Sequence, residues 1–271
     1  MFSKKGFVTL CLVILAALLI TGCAPTTPVA VTGVNLDQAT MTLTAGGTTG
    51  TLVATVAPAD ATDKSLTWSS SAPAVATVVN GVVTPVTAGT ATIIVATVDG
   101  GLTATCTVTV KAAVAIGDSY GGGIVAYILQ SGDPYYDVNV QHGLIAATAD
   151  QSTGIQWYNG SNVSTGATAT AIATGQANTT SIVIIQGAGS YAAQLCDDLI
   201  VGVYNGWFLP SKDELNKLYI NKVAIGGFAG NYYWSSSENN ANNAWNQDFY
   251  NGNQNDYLKF NAGRVRAVRA F

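Results

Sequence analysis

The sequence predicts an all-β immunoglobulin-like sandwich followed by an α+β module. Three observations carry that expectation. Leu102, Ala104, Cys106, Val108 and Val110 alternate with polar, mostly Thr residues, the period of a strand with one buried face. The turn pairs Gly46-Gly47, Asn80-Gly81 and Gly100-Gly101 punctuate similar short runs, as a small sandwich requires. Beyond residue 111 the composition changes. Four of the five Trp and a run thick with Asn fall there, and helix signals join the strands.

The elements follow in order. Lys4 and Lys5 precede an apolar run over residues 7–20, which ends at Ile20-Thr21-Gly22-Cys23. A basic start, a short apolar stretch and a small-residue junction describe a secretory signal over 1–22. The run is too short for a bilayer core, which needs about 20 apolar residues. Ile20-Thr21-Gly22-Cys23 resembles the lipobox of bacterial lipoproteins. The resemblance implies that Cys23 is acylated and becomes the new N-terminus. Ala24 after it fits transfer to an outer membrane, with the membrane as partner through the lipid. Residues 23–30 read as an extended tether rich in Pro and Thr.

Residues 31–111 carry the sandwich pattern. Met41, Leu43 and Ala45 alternate with Thr, as do Leu52, Ala54 and Val56 with their neighbours. Cys106 points inward in its register. With Cys196 in the other module, both read as buried free thiols, not a disulfide. Within 31–111, Leu66-Thr67-Trp68-Ser69-Ser70-Ser71, Val75-Ala76-Thr77-Val78, Asn80-Gly81-Val82-Val83-Thr84 and Gly89-Thr90-Ala91-Thr92-Ile93 resemble the group 2 bacterial immunoglobulin-like domain. The resemblance implies a spacer with Trp68 in its core.

In the module 112–271, residues 120–129 read as a Gly-rich hairpin and a strand. Residues 144–147 and 182–185 read as further short strands, and 190–201 and 212–219 as helices. The second helix starts on a capping box: Ser211 caps the amide near Glu214, and Glu214 reaches back. Residues 264–271 alternate as one closing strand, in which the arginines pair with local carboxylates or carbonyls.

Only 10% of residues are charged and the formal net charge is -4, with no basic stripe. Nucleic-acid binding, which rests on neutralised phosphates, is excluded. Gly117-Asp118-Ser119-Tyr120-Gly121 matches the G-x-S-x-G pattern, with His142 and Asp133, Asp137 or Asp150 as the partners a Ser119-based hydrolase would use. That elbow must open a helix, and the glycines that follow instead favour a hairpin turn. No Gly-Lys-Ser/Thr follows the glycine triplet, and one histidine cannot build a zinc site. No cofactor is expected, beyond a calcium option at Glu238, Asp248 and Asp256.

The remaining candidate is the segment 232–257. Asn239, Asn240, Asn242, Asn243, Trp245, Asp248, Tyr250, Asn251, Asn253 and Asp256 combine aromatic faces with amide and carboxylate groups, the chemistry that grips sugars. The alternative is a polar loop in which Asn serves turns. Three further stretches resemble one family: Asn205-Gly206-Trp207-Phe208-Leu209-Pro210-Ser211-Lys212-Asp213-Glu214-Leu215, Tyr233-Trp234-Ser235-Ser236-Ser237-Glu238 and Arg264-Val265-Arg266-Ala267-Val268-Arg269. The family is shared by the C-terminal domain of the Legionella collagen-like adhesin and the Fibrobacter major paralogous domain. The resemblance implies a compact α+β fold related to C-type lectins, found at the ends of exported proteins. The composition of segment 232–257, beside the lack of catalytic groups, leads to a non-catalytic adhesion role towards glycans or other polar surface polymers. This chain lacks a collagen repeat, and its acidic balance argues against sulfated ligands. A structural envelope protein without a small ligand is the other class.

Overall fold

A computed structural model describes residues 27–271. The expected signal over 1–22 and the acylated Cys23 lie outside the described residues. Val29 already docks on the sandwich, its N–H donating to Thr62 Oγ1 at 2.8 Å.

The N-terminal module is built from nine strands: β1 Gly33–Leu36, β2 Thr40–Thr44, β3 Gly50–Thr51, β4 Ala54–Ala57, β5 Leu66–Ser70, β6 Ala76–Val79, β7 Val82–Pro85, β8 Gly89–Thr97 and β9 Thr103–Lys111. One sheet runs β2-β9-β8-β5, a second runs β3-β7-β6, and β1 pairs with β4. The alternation read from sequence is the packing. In β9, Cys106, Val108 and Val110 are buried while the Thr residues between them face water. They meet Leu43, Ile93, Leu52 and Val83 in one core, with Trp68 half-buried against it. Asn80 takes a left-handed φ of 49° and Gly81 one of 82°, the geometry of a tight β6–β7 hairpin.

The C-terminal module begins with β10 Ser119–Tyr120, β11 Gly123–Ile128, β12 Gly143–Ala146 and β13 Ser152–Ile155. Four helices follow: α1 Gly175–Gln186, α2 Ala192–Asp197, α3 Lys212–Ile220 and α4 Lys222–Ile225. The chain closes with β14 Tyr232–Glu238, β15 Asn243–Asp248, β16 Gln254–Leu258, β17 Gly263–Val265 and β18 Val268–Ala270. The strands form a sheet β10-β11-β12-β18 and a sheet β13-β17-β14-β15-β16. Trp157, Trp207, Trp234 and Cys196 pack in one core cluster, and Tyr233, Phe249, Leu215 and Leu218 in a second.

Three sequence expectations are corrected. Residues 182–185 lie in the helix α1, not in a strand. A run of four apolar residues has no period of its own, and here Ile182 is buried while Ile184 and Ile185 face solvent. The helix over 190–201 shortens to Ala192–Asp197, and Val201 instead bridges Tyr204. The closing strand is cut in two. β17 pairs with β13 and β14, whereas β18 pairs with β12 in the other sheet. The break falls at Arg266, which is fully buried against Asp150 and the carbonyls of Ala147 and Gly227. Arginines here do pair with a carboxylate and carbonyls, and Arg269 donates to Gly121 O.

The capping box is present in full. Ser211 Oγ accepts from Glu214 N–H, and Glu214 Oε2 accepts from Ser211 N–H at 2.7 Å. The modules also bond to each other. Thr44 N–H donates to Asn139 O at 2.8 Å, and Gln141 N–H donates to Thr44 Oγ1 at 3.0 Å.

Cys106 and Cys196 are both free and buried, and burial pushes both thiols up from their ordinary range. Reactivity needs an accessible thiolate. A form starting at residue 27 is therefore expected to take up no maleimide while native and two equivalents after denaturation, read by intact mass.

Candidate functional site

Among the described residues no hydrogen bond links Ser119, His142 and the candidate aspartates. Ser119 lies exposed on β10, and the chain turns back through Gly121 and Gly122 into β11, with no helix after it. Every candidate partner is engaged elsewhere. His142 Nδ1 lies 3.2 Å from Phe271 O. Asp133 accepts from the Tyr127 hydroxyl, and Asp137 from Asn139 N–H. Asp150 accepts from Arg264, Arg266 and Tyr233.

The calcium option is corrected as well. Glu238 is fully enclosed and paired with Lys259. Its carboxylate also accepts from Ser164 Oγ and from the N–H groups of Thr165 and Gly166. Burial alone would raise its pKa, yet the Lys259 ammonium and the Thr165 and Ser164 donors outweigh burial and hold it below the usual range. Asp248 is buried and caps its own turn through Tyr250 N–H. No group of three or more potential metal ligands converges among the described residues.

The Asn and aromatic residues of segment 232–257 lie on the antiparallel meander β14-β15-β16 and divide between its two ends. At the β14–β15 end stand Asn239, Asn240, Asn242, Asn243, Trp245 and Asp256. At the β15–β16 end stand Asp248, Tyr250, Asn251 and Asn253. A rise of about 3.3 Å per residue puts too much strand between Trp245 and Tyr250 for one sugar ring to touch both. At the first end, Asn239 Nδ2 and Asn243 Nδ2 both donate to Asp256 Oδ2, at 2.9 and 2.8 Å. Those two amides hold the exposed carboxylate of Asp256 below its ordinary range, Asn243 more than Asn239. Trp245 is half-buried, opposite Asp256 in the register, with Lys212 Nζ 3.5 Å above its ring. Asn240 and Asn251 serve turns: Asn240 Oδ1 accepts from Asn242 N–H and Asn243 N–H, and Asn251 Oδ1 from Asn253 N–H. Tyr250 is 81% exposed at the far turn. Trp234 is a core residue, bonded through Nε1 to Ile155 O.

A second concavity lies in the same module, and the sequence reading missed it. A cleft of about 740 Å³ has Tyr135, Tyr136, His142, Gln176, Asn205 and Glu214 among its lining residues. Four chain segments far apart in sequence, within 129–144, 172–176, 205–214 and 269–271, supply it, so no local pattern could reveal it. The one local hint is the aromatic pair Tyr135-Tyr136 in a turn after Gly132 and Pro134. Glu214 there joins two helix starts. Its oxygens accept from Ser211 N–H at α3 and from Ala173 N–H just before α1. Burial pushes its carboxyl up to about 7, against the lowering effect of the Ser211, Ala173 and Gly175 N–H donors.

Residues 30–108 match the family model of the bacterial Ig-like domain (group 2), and residues 146–269 match the Lcl C-terminal domain. The chain joins a group 2 bacterial Ig-like domain to an Lcl C-terminal domain. The Lcl match covers both helix starts, the meander and the closing arginines. The first strands β10–β12 and Tyr135-Tyr136 lie before it or at its edge. A further relative is the Ig-like virion protein of Serratia phage KSP90, 50% identical over 85 residues, which are 31% of this chain and 33% of that one. The chain thus spans about a third of that relative's length. A fimbrial protein from Bacteroides ovatus ATCC 8483 aligns over 88% of this chain and 70% of its own, with 15% identity and a TM-score of 0.42. The adhesin InvE of Yersinia pseudotuberculosis aligns over 90% and 70%, with 15% identity and a TM-score of 0.24. Both scores fall short of a shared overall fold.

Proposed function

We propose that this chain is a non-catalytic, surface-displayed adhesion protein. Acyl chains on Cys23 hold it to the outer membrane, the Ig-like domain acts as spacer, and the Lcl domain is a lectin-like head for glycans or other polar surface polymers. The observation that carries the ligand class is the β14–β15 end of the meander. There the Asn239 and Asn243 amides converge on Asp256 beside the Trp245 ring. An exposed cation–π contact is worth about 0.5–1 kcal/mol, so a sugar ring can displace Lys212 from Trp245. The scattered engagement of Ser119, His142 and the aspartates supports the non-catalytic part of the reading.

Trp245→Ala tests it on a glycan array with the mature protein. The expected result is loss of the wild-type signal, and binding that survives the substitution removes this site. A second reading, a structural envelope protein without a small ligand, draws on the Asn240 and Asn251 side chains that close their own turns. A wild-type array without any signal favours it.

A further inference from the structure

The cleft of about 740 Å³ in the Lcl domain has the dimensions of a small-molecule site. It shares no residue with the β14–β15 end of the meander. Its backbone carries an unusual cost. Among the described residues, three non-glycine positions adopt a left-handed φ: Asn80, Tyr135 at 64° and Ala173 at 68°. Asn80 is explained by its Asn-Gly hairpin. The other two both line this cleft, and strained positions cluster where a fold holds groups ready for a ligand. Ala173 is held there by its bond to Glu214. Tyr135 is the third residue of a turn that follows Pro134 and is closed by Tyr136 N–H donating to Asp133 O at 3.2 Å, a position that takes a positive φ but does not call for a tyrosine. Its side chain is 81% exposed, and the tyrosine hydroxyls that donate to protein partners are those of Tyr127, Tyr191 and Tyr233. Glycine or asparagine would fill this turn at lower cost.

The lining chemistry narrows the ligand. Tyr135 and Tyr136 offer ring surface, and Gln176 and Asn205 offer exposed amides able to donate and accept. Cationic groups are turned away. Arg269 lines the cleft by position, but Ala270 and Leu144 occupy the cleft side of their strand pair, and Arg269 alternates to the other face. Its guanidinium donates there to Gly121 O and stacks on Tyr204 at 4.9 Å. Asp137 and Glu214 add carboxyl groups, so an anionic or sulfated ligand meets no compensating charge.

We propose that this cleft is a second binding site, for a short neutral oligosaccharide stacked on Tyr135 and held by Gln176 and Asn205. The site extends the adhesion role proposed above without depending on the meander. The test is isothermal titration of the mature full chain with maltotriose, cellotriose and triacetylchitotriose as probes. At least one probe is expected to bind, with affinity falling about tenfold or more in Tyr135→Gly and in Gln176→Ala. Tyr135→Gly relieves the left-handed strain, so its melting temperature is expected to hold or rise while binding falls. A purely structural role for Tyr135 would not give that combination. No binding by any of the three probes overturns the proposal. So does wild-type affinity in both cleft variants. If affinity is lost in Trp245→Ala instead, the sugar sits on the meander, and the cleft proposal fails while the proposed function stands.

Discussion

Replacing Lys259 with Met is expected to destabilise the Lcl domain by about 3–5 kcal/mol, the usual cost of removing one partner from an enclosed ion pair. Both side chains of the pair are fully buried. Lys259 Nζ also donates to Val163 O and Ala241 O and lies 4.5 Å from the Trp157 ring, so it ties three segments together. One of them, the long connection from β13 to α1, has no regular structure of its own. Without Lys259, the Glu238 carboxylate keeps the Ser164, Thr165 and Gly166 donors but loses its counter-charge. Urea unfolding followed by Trp fluorescence reads the change, because four of the five Trp are in this domain. The double variant Glu238→Gln with Lys259→Met is expected to recover much of the loss. A loss below about 1 kcal/mol in the single variant, the range of surface pairs, would refute this account.

Glu214 should make the same domain less stable at pH 8 than at pH 5.5. Its folded-state pKa is raised from 4.5 to about 7 by burial. The folded chain therefore keeps a proton that the unfolded chain has released between these values. The contribution is fully present below pH 4.5 and is lost as pH rises through 7. At 1.36 kcal/mol per unit, the full swing is about 3 kcal/mol, of which about 2 kcal/mol falls between pH 5.5 and pH 8. Glu214→Gln is expected to flatten the dependence in this window. It should also lower stability at pH 5.5, where the wild type keeps its proton, since its amide N–H₂ would face N–H groups that now donate to a carboxyl oxygen. Gly175 leaves no room for adjustment, because a Cβ there would run into Glu214 Oε2. Thermal melts of wild type and variant across pH 5–8 measure both effects. A wild-type melting temperature that rises across this range contradicts the assignment.

Sequence pattern carried furthest where the determining contacts are local. The alternation in β9 and the Ser211–Glu214 capping box are written in neighbouring residues, and both elements form as read. The apolar run at 182–185 failed because its face is decided by what packs on α1, not by its own period. The break between β17 and β18 was hidden for the same reason. Alternation continues through Arg266, and its partners Asp150, Ala147 O and Gly227 O, all far away in sequence, hold that side chain inside. Glu238 read as a candidate calcium ligand because nothing nearby announces Lys259. Candidate residues of the meander were legible as a composition, but their division between two ends follows from the hairpin register. The cleft was illegible because its parts meet only in the folded module.

The parallel pairing of β2 with β9 has a mechanical consequence. Five residue pairs, Thr40 with Thr107 through Thr44 with Lys111, link β2, which the chain reaches directly after β1, to the strand that leaves for the Lcl domain. Tension between those two ends drags the strands lengthwise past each other. The rungs are then strained together and share the load, instead of parting singly like the teeth of a zip. A domain wired this way suits a stalk that must stay folded while its far end is tugged.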